Sequence, residues 1–287
     1  VRALTSPPRS FLRGIPIGVW MLALVVVPLG YTFIMSFYQV DSLQIVPRFT
    51  LKNYALFFTD PMYSTILLRS VTLALTVSLL GVLTGYPLAY MVSLRVKRGK
   101  QFLFMLSIIP LWVSYLVRII AWKTILGNRG VINSALLSLG VIQEPLSFLL
   151  YNRFAIAVTL TYICIPFVFI PVYTAIEKIP RNILEASSDL GAGEIRTFFN
   201  IVLPLSLPGL VTGFIFAFII ALGDYIIPQQ LGGTQGMMFG NLIWSQFGFA
   251  FNWPFGAALG FILLVISVTV LALTSRFGST EGGFISE

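Results

Sequence analysis

Six apolar runs, near residues 15–38, 65–94, 102–122, 155–176, 208–227 and 255–275, restrict what this chain can fold into more than any other feature of it. The hydrocarbon core of a bilayer, about 30 Å thick, is crossed by about 20 residues of α-helix, and each run meets or approaches that length. The expected fold class is therefore all-α, a polytopic membrane protein with six transmembrane helices. Composition agrees: 57% of residues are hydrophobic and 10% charged, with a mean hydropathy of +0.92, whereas soluble domains carry roughly 25% charge. The basic start (Arg2, Arg9, Arg13) and the first run read as a spanning helix and not a cleaved leader, since the run is long and no small-residue cleavage pattern follows it.

The second run is long enough that it must tilt, bend or project from the bilayer. Pro87 offers a place for a bend, and Gly81, Gly85 and Ala89 form a small-residue stripe that lets another helix approach closely. Orientation follows from loop charge, because short cytoplasmic loops hold an excess of Lys and Arg. Arg2, Arg9, Arg13, Arg95, Lys97, Arg98, Lys100, Lys178, Arg181, Arg196 and Arg276 fall on one side; Arg48, Lys52, Lys123, Arg129 and Arg153 are spread over longer segments on the other. Both termini and residues 185–204 are expected in the cytoplasm. The expected organisation is an N-terminal cytoplasmic segment, first helix and outer loop (1–63), a five-helix core with cytoplasmic helices at about 183–203 (64–275), and a cytoplasmic tail (276–287). The last outer loop, 228–253, is uncharged and aromatic. It is expected to fold back over the bundle with a short helix near 240–247.

Several chemistries are excluded by residue type. With no His and one Cys, Cys164, the chain has neither a Ser-His-Asp arrangement nor an intrachain disulfide, and no metal-ligand cluster is expected. Its one Gly-Lys pair, Gly99 and Lys100, lacks the earlier Gly of a phosphate loop and is followed by Gln101. No catalytic residues are assigned. The net charge of +8 is accounted for by the topogenic loops, so nucleic acid is not an expected partner.

Residues 185–204, EASSDLGAGEIRTFFNIVLP, have the makings of two short helices. Asn182 can cap a helix from Ile183, with Glu185 three residues on in the capping-box position. Gly191 supplies the stop. A second helix fits 194–202 with Ile195, Phe198, Phe199 and Val202 on one apolar face; Pro204 ends it and Pro208 can start the fifth span. Such a unit can present Glu185, Ala186, Ser187 and Asp189 to a groove in another protein. Periodicity alone favours an ordinary interfacial connector. The spacing Glu185-Ala186-Ser187, three residues, Gly191, nine residues, Ile201-x-Leu203-Pro204 nonetheless resembles the EAA loop of bacterial ABC importer permeases, with Ser187 where that family often has Ala. The resemblance implies that Glu185, Ala186, Ser187, Asp189, Gly191, Ile201, Leu203 and Pro204 couple the chain to an ATPase subunit.

Two ionisable residues, Arg118 and Asp224, fall inside expected spans near their outer ends, where a charge is costly in lipid and marks function by default. They are expected either to pair and hold two helices in register, or to leave Asp224 lining a path. Residues 87–133, 221–233 and 252–258 resemble the spermidine/putrescine permeases, first of the two permeases. That resemblance implies the type I ABC importer permease fold, a heterodimer with a second permease, two ABC ATPase subunits that bind ATP and Mg, and a periplasmic substrate-binding protein. It further implies alternating access in the bacterial inner membrane, with no cofactor held by this chain and no enzymatic activity of its own. A polyamine is a polycation, so Asp224 with Tyr225, Trp112, Tyr115, Arg118 and Trp244 becomes the expected substrate path. Other small solutes (opine, iron, sulfate, sugar) fit the same family pattern. A secondary transporter would show an internal repeat, and a membrane-embedded enzyme a cluster of reactive groups; neither is visible.

Overall fold

The computed structural model describes residues 9–41 and 44–278; Arg2 and most of the expected tail lie outside them. The described residues divide into two compact units, Val1–Pro61 with Ile243–Ile262, and Met62–Leu242 with Leu263–Glu287. Four helical stretches are long and apolar enough to cross a membrane: Pro61–Arg95, Arg153–Glu177, Glu194–Gly223 and Trp253–Thr274. The bent pair Lys100–Trp112 and Tyr115–Ser138 makes a fifth when counted as one span, and Leu22–Met35 is a shorter apolar helix. The chain is thus a polytopic helical protein, and the expected six spans are consistent with this set.

In the first unit, α1 (Arg9–Met35) leads into a two-stranded antiparallel hairpin, β1 (Gln39–Asp41) and β2 (Gln44–Val46), then α2 (Lys52–Thr59). Asn53 Nδ2 donates to the carbonyls of Ser36 and Tyr38 at 2.8 and 2.9 Å, and the Ser36 and Tyr54 hydroxyls share a hydrogen bond of 2.8 Å. These bonds tie α2 to the residues that follow α1, whose own last carbonyls accept from the backbone of 36–38.

The second unit is built on α7 (Arg153–Glu177), capped by Asn152 Oδ1, which accepts from Ala155 N at 3.0 Å. Against it pack α3 (Pro61–Tyr90) and α10 (Leu203–Gly223), glycines of both lying against Val168. Small residues set the spacing, as the Gly81, Gly85, Ala89 stripe requires: a Cβ at Gly85 would stand 3.0 Å from Val168, and one at Gly209 2.5 Å from Ala175 Cβ and the Pro171 carbonyl. Backbones in lipid associate by such close packing, because the hydrophobic drive between helices is weak there. The α-helix runs through Pro87 and gives way to a π turn at Met91–Arg95.

The third span departs from expectation. It is not continuous over 102–122: α4 (Lys100–Ile108) tightens into a 3₁₀ turn at Ile109–Trp112, stops, and resumes as α5 (Tyr115–Leu126) with α6 (Val131–Ser138) after a 95° bend. Val113 and Ser114 at the break are extended, with ψ of 136° and 138°. Pro110 sits at the start of the 3₁₀ turn, where its missing backbone donor is tolerated, and the chain leaves the helix three residues later. The loop after α10 folds as expected, with α11 (Ile226–Leu231), a 3₁₀ turn and α12 (Phe239–Gly248). Its first part is buried, and Phe239 N donates to Ser70 Oγ of α3 at 2.7 Å. The last helix, α13, covers Trp253–Gly278.

Candidate functional site

Two sites mark the ends of α10. The inner one begins with α8 (Arg181–Asp189), which starts earlier than expected. Pro180, extended at φ −62° and ψ 132°, is the residue before it, and Asn182 bonds only its neighbour, Ile183 N, at 3.0 Å. The Asn182 cap and its capping box with Glu185 therefore do not form, because proline's fixed φ already sets the first helical residue at 181. The C-terminal end is as expected: Gly191 has φ +73°, and Gly191 N and Ala192 N donate to the Ser188 and Ser187 carbonyls at 2.9 and 3.0 Å. This is the double-bonded glycine stop that satisfies a helix's last acceptors.

The second arm differs. Helix α9 (Glu194–Thr197) passes into a π turn at Phe198–Val202 and then directly into α10, so Glu194–Gly223 is one helical run. Pro204 does not end it and Pro208 does not begin the span. Pro204 sits in the first turn of α10, where its missing N–H is tolerated once the wider π turn has broken the hydrogen-bond register. The extra residue in that turn also rotates the apolar face. Val202 is buried and Phe198 half-buried, but Ile195 and Phe199 are 77% and 59% exposed.

Glu185, Ala186 and Asp189 are exposed on α8. Ser187, expected to face outward with them, is buried; its Oγ lies 2.8 Å from Thr197 Oγ1 and ties the two arms together. Ile201 and Leu203 are half-buried and Pro204 exposed. Between the arms lies a concave surface of about 510 Å³, lined by Ile183, Ala186, Leu190, Arg196 and Ile201 among others. Leu190 is 88% exposed beside it, an apolar side chain with no cover in this chain.

The outer site centres on Asp224, which follows the last residue of α10 in an extended conformation. Its Oδ1 accepts from Ile226 N and Ile227 N at 2.8 and 3.0 Å, capping α11, and its Oδ2 accepts from the Tyr115 hydroxyl. The expected pairing with Arg118 does not occur. Arg118 lies with its guanidinium carbon 5.5 Å from the centre of the Tyr115 ring, while its Nε and Nη1 are buried without a hydrogen-bond partner. The bend before Tyr115 is the physical reason: it starts α5 at that residue, so Tyr115 stands between the two charges. The Tyr225 carbonyl accepts from Asn241 Nδ2 at 2.6 Å, and a Cβ at Gly240 would lie 2.8 Å from the Asp224 carbonyl oxygen. Trp112, ahead of the break, is 87% exposed. Trp244 belongs to the other compact unit, where its ring meets Phe249 edge-on at 4.9 Å.

Sequence reasoning missed the ties beside the inner site. Arg95, read there only as a topogenic charge, chelates Glu194, and Lys100 pairs with Glu177 at 2.6 Å. No periodic signal links residues so far apart in the chain.

The fold is one found in ABC transporters, and the family match below makes the class a binding-protein-dependent permease. The chain aligns over 93% of its length, and 94% of the other, with a chain of a bacterial ABC transporter involved in import of the acidic polysaccharide alginate, at TM-score 0.72 and 18% identity. It belongs to the family of binding-protein-dependent transport system inner membrane components, whose pattern residues 78–278 match. Among its relatives is the spermidine/putrescine transport system permease protein PotB of Escherichia coli K12, 35% identical over 90% of this chain and 93% of that one. The Haemophilus influenzae protein of the same name is 32% identical over 90% of each. The E. coli inner membrane ABC transporter permease protein YdcU is 34% identical over 86% of this chain and 82% of that one. The chain is accordingly a transport subunit and not an enzyme.

Proposed function

We propose that this chain imports a polyamine of the spermidine/putrescine class by alternating access, as one permease of a heterodimer served by two ATPase subunits and a periplasmic binding protein. The observation that carries the coupling half is the two-arm element closed by Gly191. It offers Glu185, Ala186 and Asp189 on one exposed face, and its second arm is continuous with α10. ATP and Mg bind to the partner ATPases, whose closure moves this element; both termini share its cytoplasmic side, as loop charge favours. Coupling requires that the ATPase and the binding protein each prefer one of the permease's two states.

The cargo half is supported by the relatives' names and by the chemistry of the outer site. A carboxylate held by the Tyr115 hydroxyl suits an ammonium group, and an aromatic face beside such a cation adds about 0.5 to 2 kcal/mol of attraction. The test is to purify the complex with its binding protein and identify bound small molecules by mass spectrometry. Spermidine or putrescine is expected; recovery of a sugar or an oxyanion instead refutes the cargo. Gly191→Asp is expected to leave the permease inserted and release the ATPase on purification. A fully coupled ATPase retained by that variant refutes the coupling role.

A further inference from the structure

Three layers of contact join the inner end of α3 to the second arm. At the surface, Arg95 Nη1 and Nη2 donate to the two carboxylate oxygens of Glu194 at 2.5 Å each, the fork geometry that makes Arg–carboxylate pairs directional. Further in, the Phe198 ring stands edge-on to Tyr90 and Tyr86, with centroids 5.4 and 5.8 Å apart. Deepest, the Tyr86 and Ser206 hydroxyls share a hydrogen bond of 2.8 Å, both residues being buried. Where the two elements meet, each has a π turn, Met91–Arg95 in one and Phe198–Val202 in the other. Such turns interrupt the regular hydrogen-bond ladder and recur at functional positions.

A separate tie reaches the same π turn from the far side. Ser93 Oγ donates to Glu177 Oε1 at 2.5 Å, and Lys100 Nζ donates to that oxygen at 2.6 Å and to the Ser93 carbonyl at 2.9 Å. Glu177 is the last residue of α7 and Glu194 the first of the second arm, so both ends of the intervening loop are anchored to Met91–Arg95. A displacement of the loop reaches α3 through these anchors as directly as it reaches α10 through the continuous helix.

We propose that Arg95 with Glu194, and Phe198 seated on Tyr86 and Tyr90, are positioning residues that carry movement of the coupling element into α3. The proposal rests on the reading of residues 185–204 as that element. None of these residues is needed for the ATPase to dock; they act after docking.

The experiment uses the full importer in proteoliposomes and reads substrate moved per ATP hydrolysed. Arg95→Gln and Glu194→Gln are expected to keep the ATPase through purification and to lower that ratio about fivefold or more, the lower range of measured site-to-site couplings. The exchange Arg95→Glu with Glu194→Arg is expected to restore it to within about twofold, since the pair is remade with its ends reversed. An unchanged ratio in both single variants overturns the proposal, as does an exchange no better than the single changes. Loss of the ATPase from either single variant overturns it too, because the pair then acts in docking. Failure of the coupling reading itself is seen separately, in Gly191→Asp.

Discussion

The inner and outer ends of α10 are held by opposite kinds of chemistry. At the inner end the outermost tie, above the buried Tyr86–Ser206 bond, is an ion pair whose side chains are 47% and 73% exposed, beside a groove open to solvent. At the outer end, Asp224 is fixed by two backbone amides and a phenol, in a loop where glycines bring backbones into contact. Water can replace a partner in the first, so the pair is made and broken at little cost. In the second, a removed partner leaves a half-buried group short of a hydrogen bond, which costs more. The difference suits the two ends to different tasks under the coupling proposed above: the inner end yields and transmits, and the outer end keeps its geometry until the movement is large enough to break a bond there.

That contrast predicts an ordered set of stability effects. The largest belongs to Gly236→Ala, because a Cβ there falls 2.2 Å from Gly232 Cα, backbone that cannot give way. A loss of about 3 kcal/mol or more is expected from overpacking of this kind, read as a lowered melting temperature of the purified complex. A parent-like melting curve breaks the picture of a rigid outer loop. Asp224→Ala comes next, with about 2 kcal/mol from a lost cap and a stranded Tyr115 hydroxyl. Asp224→Asn, which retains an acceptor for the two amides, is expected to cost less; an equal cost in both sharpens the role of charge over geometry. Gly191→Ala should cost about 1 kcal/mol, since open space surrounds the position and only its φ of +73° resists a side chain. Smallest is Arg95→Gln, for which no shift in melting temperature is expected although transport per ATP falls. A large shift would mean that the inner end, too, is built to hold.

The glycine stop at 191 was legible in the sequence because only one residue type suits that backbone, and the stripe of Gly81, Gly85 and Ala89 because only small side chains let helices approach so closely. The second, fourth and sixth helices were readable to a few residues, since hydrocarbon thickness imposes a length, whereas the fifth begins well before 208. The break at Val113 and Ser114 was not, because the apolar run continues across it and hydropathy does not register a bend. Both π turns escaped notice for a related reason: one inserted residue shifts a helical face without changing composition. Asp224 and Arg118 were singled out by cost in lipid, yet Asp224 lies just past the end of α10, and the partners of both depend on where α5 begins, which the unread bend sets.

Continuity through Pro204 has a mechanical consequence. The run Glu194–Gly223 is 30 residues, about 45 Å of helix at the usual rise, and it ends one residue before Asp224. A rod of that length pivoting by about 5° moves its far end by about 4 Å, enough to pull a carboxylate away from a hydroxyl that holds it. The lever arm between the Glu194 end and the Asp224 end is thus long enough for a small push on one side of the membrane to remake a hydrogen bond on the other.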